Sequence, residues 1–556
     1  MMAAALTTAP IPPSMRPPPD PEAARAAKRR PQPRLRAVDD GAAPVADWAS
    51  LFGDLARPAS TTPDDPVEWR LHDKTHLEFA IDYRVRQKPV SYTWEAYFFV
   101  PESFRLDAQT YDKKDIYDDL WSYVRYAVPD VPFHDFAGGD ERSPLSGVDR
   151  AIRAADGAAE GSDASVAAMR QLRLFACLVR GSGVAAMREL ERQIAARDEM
   201  LPAHAARFIA TCDAVARAFR KLLAEWPSLR LADEVRIAAA WTDEDLSLVL
   251  ETLAASLGVS IETVAEGRPQ LHDVGEKLAA YAVAEARHRA AAGYDSVGHA
   301  DATERDVEHL EFRRHVLKRF TASVLWLHLE VRSAATWVIH TFYAFAAAVA
   351  MAFAFIASVR ATPTIENLYR YGLLIVIAYA VKDRMKAFLQ QAFAGFIARR
   401  FPDRRWRIKD EHRREVGQVH ERAAFLPFRS LPDEVLAKRR LTREHAVEEH
   451  ARPERVLWHT KTIEVSGSNA KDGAEFPMLT DIFRLNLRRW LYNTDDPNRK
   501  IVFADPKDAR VYTATARRVY NINVVYRLRE GEGATDWKRL RVVVSRKGIE
   551  RIEPIC

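Results

Sequence analysis

The sequence predicts a multidomain α+β membrane protein: a helical bundle plus two small α+β units, with a two-segment transmembrane hairpin. Three observations carry this. Ser333 to Val359 is a run of 27 residues without Lys, Arg, Asp or Glu, longer than the roughly 20 apolar residues that cross a bilayer. Apolar residues alternate with period two near both ends of the chain. Between them, residues 148–332 are rich in Ala, Leu, Arg and Glu and poor in strand formers. With 48% hydrophobic and 29% charged residues and a mean hydropathy of -0.27, most of the 556 residues face water, which excludes a polytopic transporter.

Residues 1–65 read as a disordered Pro/Arg-rich tail, since text such as PIPPSMRPPPDPEAARAAKRRPQPRLR cannot build a core. It lacks the apolar stretch of a secretory signal. Its strips PIPP and PPPDP suit an extended protein-binding segment, against the plainer reading of a solvated tail.

Residues 66–135 read as a small α+β unit with a β-hairpin. Leu77, Phe79, Ile81, Tyr83 and Val85 alternate with polar neighbours. After the turn RQKPVS, Tyr92, Trp94, Ala96, Phe98 and Val100 alternate again until Pro101. Ile116, Tyr117, Leu120, Trp121, Val124 and Ala127 recur at helical spacing, predicting a covering helix over 111–127.

Residues 148–332 read as a helical domain of about six helices, with breaks near Gly157–Gly161, Gly181–Gly183, Pro202, Pro227, Gly258, Gly267–Pro269 and Gly293–Gly298. The last helix, 306–332, is basic and runs straight into the apolar segment.

Residues 333–382 form the expected transmembrane hairpin. The second apolar run, Tyr369–Val381, gives about 20 Å of helix against a hydrocarbon core near 30 Å, so it crosses with snorkelling or re-enters. Basic residues flank both runs, and the loop RATPTIENLYR carries little charge. The positive-inside rule therefore predicts a multi-pass protein of the inner (cytoplasmic) membrane, with both termini in the cytoplasm. Arg319, Trp337, Arg370, Lys382, Arg384 and Lys386 are the expected membrane-interface residues.

Ala344, Ala348 and Ala352 form one row of small residues, and Ala346, Ala350 and Ala354 a second. Such rows let helices approach closely, and packing within the hairpin is favoured over self-association. His340, about a turn from Trp337 and Tyr343, reads as part of an aromatic belt in preference to a proton path.

Residues 383–410 read as a basic amphipathic interfacial helix, with Met385, Phe388, Leu389, Phe393, Phe396 and Ile397 on its apolar face. Residues 411–455 read as a charged helix and linker. Residues 456–556 read as a C-terminal α+β domain: a strand over 456–465, a helix capped by Thr480 through Tyr492, and a hairpin around REGEGATD. The two β-containing regions are expected on one side of the membrane, where they can pack together.

No motif supplies chemistry. Cys177, Cys212 and Cys556 lie far apart without a CxxC pair. P-loop, dinucleotide-binding, HExxH and GxSxG patterns are missing. His309 and His315, and likewise His412 and His420, do not share a helix face. Asp118–Asp119 and Asp495–Asp496 read as solvated acids. Asp243, Glu244 and Asp245 read as capping acids around Thr242. No cofactor, metal or nucleic-acid partner is expected. The expected partners are the lipid bilayer and either a protein or further copies of the chain. The expectation is an integral inner-membrane scaffold or sensor with cytoplasmic domains. The alternatives are a cytoplasmic-face enzyme built from dispersed residues, or an oligomeric channel, for which the spans offer little beyond His340 and Thr341.

Overall fold

The computed structural model describes residues 66–86, 88–137, 143–265, 267–299, 301–332, 336–360, 368–411, 413–440, 454–465, 478–508, 510–531, 533 and 535–555. The chain begins with β1 (Val67–Leu71), β2 (His76–Arg84), β3 (Val90–Pro101), α1 (Lys113–Asp119) and β4 (Leu120–Tyr126). Six helices follow: α2 (Pro144–Ala154), α3 (Asp163–Ala196), α4 (Leu201–Glu225), α5 (Asp233–Glu262), α6 (Pro269–Ala291) and α7 (Glu304–Ala322). Strand β5 (His328–Arg332) precedes two long helices, α8 (Thr336–Arg360) and α9 (Leu368–Arg400). Next come β6 (Arg404–Lys409), β7 (Glu415–Leu426), α10 (Asp433–Arg440), β8 (Glu454–Val465), β9 (Met478–Asn486) and α11 (Arg488–Leu491). The chain closes with β10 (Asn498–Asp505), β11 (Arg510–Arg517), β12 (Tyr520–Glu530), β13 (Lys538–Ser545) and β14 (Gly548–Ile555).

The protein is a mixed α+β molecule in which both ends of the chain build one β-sandwich. One sheet runs β14-β13-β12-β3-β8-β7-β6-β5 and the other β1-β2-β9-β4. N-terminal β3 lies between β12 and β8, and N-terminal β2 pairs with C-terminal β9. The 66–135 and 456–556 segments therefore share a core, where the sequence divides them into two units. Phe79 on β2 stacks on Phe483 of β9 at 5.0 Å, and Trp94 of β3 lies 5.1 Å from Tyr526 of β12. Phe79 and Trp94 join the two sheets at 5.4 Å. Such aromatic pairs add about 0.5–1.5 kcal/mol each beyond their burial.

The helical domain and the α8–α9 pair are successive insertions into this sandwich. The chain leaves after β4 and returns just before β5, where Arg125 and Trp326 form a β-bridge. It leaves again after β5 and returns as β6, which pairs directly with β5.

Several local expectations are corrected. The helix over 111–127 is seven residues of α1, opened by a capping box on Asp112 and followed by strand β4. The spacing of Leu120 and Val124 fits a strand as well as a helix, and pairing with β9 decides it. The helix expected to start at Thr480 is strand β9, held between β2 and β4. The region 411–455 contains a full strand, β7, ahead of α10. Helix 306–332 stops at Ala322, and β5 intervenes before the apolar run. The separate interfacial helix over 383–410 does not form: α9 is continuous from Leu368 to Arg400, and the chain then enters β6. Helix α3 passes through Gly181 and Gly183, and α5 through Gly258, without breaking. The α3 glycines serve close approach: a Cβ on Gly183 would meet Leu253 Cδ1 at 2.6 Å.

Candidate membrane-insertion hairpin

Helix α8 is one of the most apolar stretches of the chain, and it is not a core helix. Among the described residues it is the one helix long and apolar enough to cross a membrane, over His340–Val359, and only 11% of that window is buried. Its partner is α9, which folds back antiparallel, with Phe342 and Phe345 both against Phe393. Ala346 and Ala350 are fully buried, while Ala344, Ala348 and Ala352 face outward. Ala346 and Ala350 thus form the seam of the hairpin. Ala348, Ala352 and Ala354 help line an open groove of about 630 Å³ with Met351, Phe355 and Ser358.

The exposed side chains are not evenly spread. Phe355, Ile356 and Val359 on α8, with Leu373, Leu374, Ile375, Val376, Ile377, Tyr379 and Val381 on α9, crowd the half distal to the sandwich. The proximal half exposes Phe345, Met351 and Phe388, and Phe353 is exposed at the division. Lys382 marks the division. It lies eleven residues before Phe393, level with Phe353, which lies eleven residues after Phe342. Its Nζ sits 3.5 Å from the Tyr379 ring centroid and 3.4 Å from Asp383 Oδ1. Successive helical residues turn by about 100°, so Lys382, Asp383, Arg384 and Lys386 put charge on several sides of α9.

The interface residues expected from sequence do not form one belt. Lys382, Arg384 and Lys386 share the middle of the hairpin. Trp337 begins α8 at the proximal end, and Arg370 lies in the first turn of α9 at the distal end. Arg319 belongs to α7, with its guanidinium 5.9 Å from the Trp326 ring. His340 is exposed near the proximal end of α8.

The hairpin leaves the sandwich between paired neighbours. Arg332 at the end of β5 stands opposite Arg405 at the start of β6, and adjacent strands lie about 4.8 Å apart. Chain exit and return therefore coincide in space.

The strongest polar groupings elsewhere are sealed. Between the sheets, Lys461 of β8 donates to Asp481 of β9 and to Ser122 of β4, at 2.8 and 2.6 Å. Tyr83 donates to the same carboxylate at 3.3 Å, and Glu421 Oε1 stands 3.5 Å from Lys461 Nζ. Burial pushes the Glu421 carboxyl above its ordinary range, against the lowering pull of the Lys461 ammonium beside it. His459, on the same strand as Lys461, is buried and held neutral down to about 3.

In the helical domain, Asp243, Glu244 and Asp245 are buried at the middle of α5. This corrects the capping assignment: Thr242 is itself mid-helix and donates to the Ala238 carbonyl at 2.8 Å. Three consecutive acids point three ways, and each meets an arginine from a different helix. Asp243 takes Arg220 at 3.1 Å and His288 at 2.8 Å, Glu244 takes Arg313 at 2.6 Å, and Asp245 takes Arg180 at 2.5 Å. Asp119, expected to be solvated, is buried and accepts from Tyr111 at 2.9 Å. Periodicity gave no signal for these charges, because each sits where an apolar residue completes the pattern. Among the described residues no group of three or more His, Cys, Asp or Glu is arranged to hold a metal.

The chain matches no family model, no curated protein and no solved structure. The hairpin's own geometry therefore carries the functional reading.

Proposed function

We propose that this protein is a membrane-anchored scaffold or sensor. The α8–α9 hairpin enters the bilayer, and the sandwich and helical domain stand together on its cytoplasmic face. The observation that carries this is the hairpin's exposed apolar distal half, reached and left through the paired strands β5 and β6. A bulky side chain moved fully out of water gains about 1.5–3 kcal/mol. Ten such side chains, each already partly covered, supply on the order of 10 kcal/mol, enough to anchor the body. The basic residues Arg399, Arg400, Arg404, Arg405 and Arg407 at the hairpin's root suit the cytoplasmic headgroups.

The charges at Lys382, Arg384 and Lys386 set the depth. A charged side chain at the bilayer centre costs several kcal/mol, so these three belong at the headgroups. About 20 Å of hairpin lies beyond them, short of the roughly 30 Å hydrocarbon core. The hairpin then stops short of the far headgroups and re-emerges on the same side, the re-entrant course of the two that the length of the second apolar run leaves open.

The test replaces residues 336–400 with a short Gly-Ser turn between β5 and β6. The expected product leaves the membrane fraction and keeps its fold by circular dichroism. A product still sedimenting with membranes, or an intact protein released by alkaline carbonate, overturns the anchor.

A further inference from the structure

Strands β10 and β11 form a two-stranded arm that is exposed along nearly its whole length on both faces. A lone two-stranded ribbon is marginal in water. This one is pinned at its root, where the Arg518 amide donates to the Pro497 carbonyl at 2.7 Å and Arg517 pairs with Glu550 at 2.9 Å. Along the arm, Ile501, Val502, Phe503, Val511 and Tyr512 are all exposed, with Phe503 and Tyr512 stacked at 5.8 Å. The tip is charged, with Asp505, Lys507, Asp508 and Arg510, so it is ill suited to enter a bilayer first.

We infer that the arm is a self-association device, in which β10 pairs antiparallel with β10 of a second copy about a two-fold axis through Val502. The edge is self-complementary about that residue. Arg499 and Asp505 stand three positions to either side, so each Arg499 faces the other copy's Asp505. Ile501 and Phe503 stand one position to either side and also face each other across the axis. All four lie on one face of the ribbon, because strand side chains alternate. The same face carries Tyr512 and Ala514, opposite Phe503 and Ile501 in the β10–β11 register. The Asp505 carboxylate spends Oδ1 on the Lys507 amide at 2.8 Å, and Oδ2 is the oxygen offered to Arg499. Strand β11 has no such symmetry: it carries Arg510 and Arg517 and no acid. Two-fold edge pairing is isologous and closed, so it stops at a dimer.

The test uses full-length protein in detergent with Cys556→Ser as background, since Cys177 and Cys212 are buried. Val502→Cys is expected to give a disulfide-linked dimer on mild oxidation, and Val511→Cys on the other edge is not. Arg499→Asp sets like charges opposite each other twice and weakens the dimer on the order of tenfold. The swap Arg499→Asp/Asp505→Arg restores it. A dimer that survives removal of residues 498–517, cross-linking of Val511→Cys in preference to Val502→Cys, failure of Val502→Cys to link two chains, or a swap without recovery overturns the inference.

Discussion

Lys461 Nζ lies 2.8 Å from the Asp481 carboxylate, with neither side chain exposed to solvent, and the pair ties the two sheets of the sandwich together. Removing one member of such a pair leaves a bare charge in a low-dielectric interior, at a cost of about 3–5 kcal/mol. Lys461→Met is therefore expected to lower the unfolding midpoint sharply, read by tryptophan fluorescence in denaturant. Lys461→Met/Asp481→Asn recovers most of the loss. Equal destabilisation by the single and double variants would show that packing dominates over charge.

Glu421 and His459 make stability depend on pH in opposite senses. The Glu421 carboxyl is raised when folded, so the unfolded chain releases its proton first. Its contribution is full below the unfolded value and falls as pH rises through that value towards the folded one. Glu421→Gln is expected to hold stability steady over that range in a pH series of denaturant melts.

His459 is lowered to about 3. The unfolded chain binds a proton below its ordinary value near 6.5 while the folded protein does not. Stability therefore falls as pH drops from about 6.5 towards 3, by about 1.4 kcal/mol per unit from this residue. His459→Leu should flatten that limb in the same melts. An unchanged acid limb would assign it to other groups.

Gly183 sits inside α3, where an added Cβ would meet Leu253 Cδ1 at 2.6 Å. Helix propensity favours Ala over Gly by about 1 kcal/mol. Overpacking of a core costs about 1–3 kcal/mol. Gly183→Ala is expected to be net destabilising, and Gly183→Ala/Leu253→Val to regain stability. A stabilised single variant would mean that α3 and α5 separate easily.

Depth of insertion is open to a chemical test at Leu368, the first residue of α9. In right-side-out vesicles, Leu368→Cys is expected to resist an impermeant maleimide added outside. Replacing Lys382, Arg384 and Lys386 together by Leu extends the apolar stretch and should carry the tip across, exposing the introduced thiol to the reagent. Reaction in the protein that keeps its three charges would mean two full spans.

Two of the strands that escape sequence reading, β7 and β9, carry a buried acid on the inward face. Strands β2 and β3 are legible because Leu77 to Val85 and Tyr92 to Val100 alternate almost without interruption. Strand β7 turns Gly417, Glu421 and Ala423 inward among its apolar residues, and β9 turns Asp481 inward. A charge at the centre of an inward face erases the period-two signal, and only the partner Lys461, far off in the sequence, explains it. The acids of α5 mislead in the same way. Their arginine partners come from α3, α4 and α7, so no local window holds both halves of any pair. The hairpin's apolar character, by contrast, is local and plain. What local reading missed was the strand pair β5 and β6 at its root, because their pairing spans the whole insertion.

Nesting two insertions inside one sandwich has a consequence for biosynthesis. Strands β2 and β3 leave the ribosome first, yet their neighbours β8, β9 and β12 come last. The helical domain can fold, and the hairpin can meet the membrane, while the earliest strands still have open edges. With the hairpin as the proposed anchor, delivery to the bilayer would precede closure of the sandwich, and a nascent chain stalled before Glu454 would present an anchored but unfinished protein to the quality-control machinery.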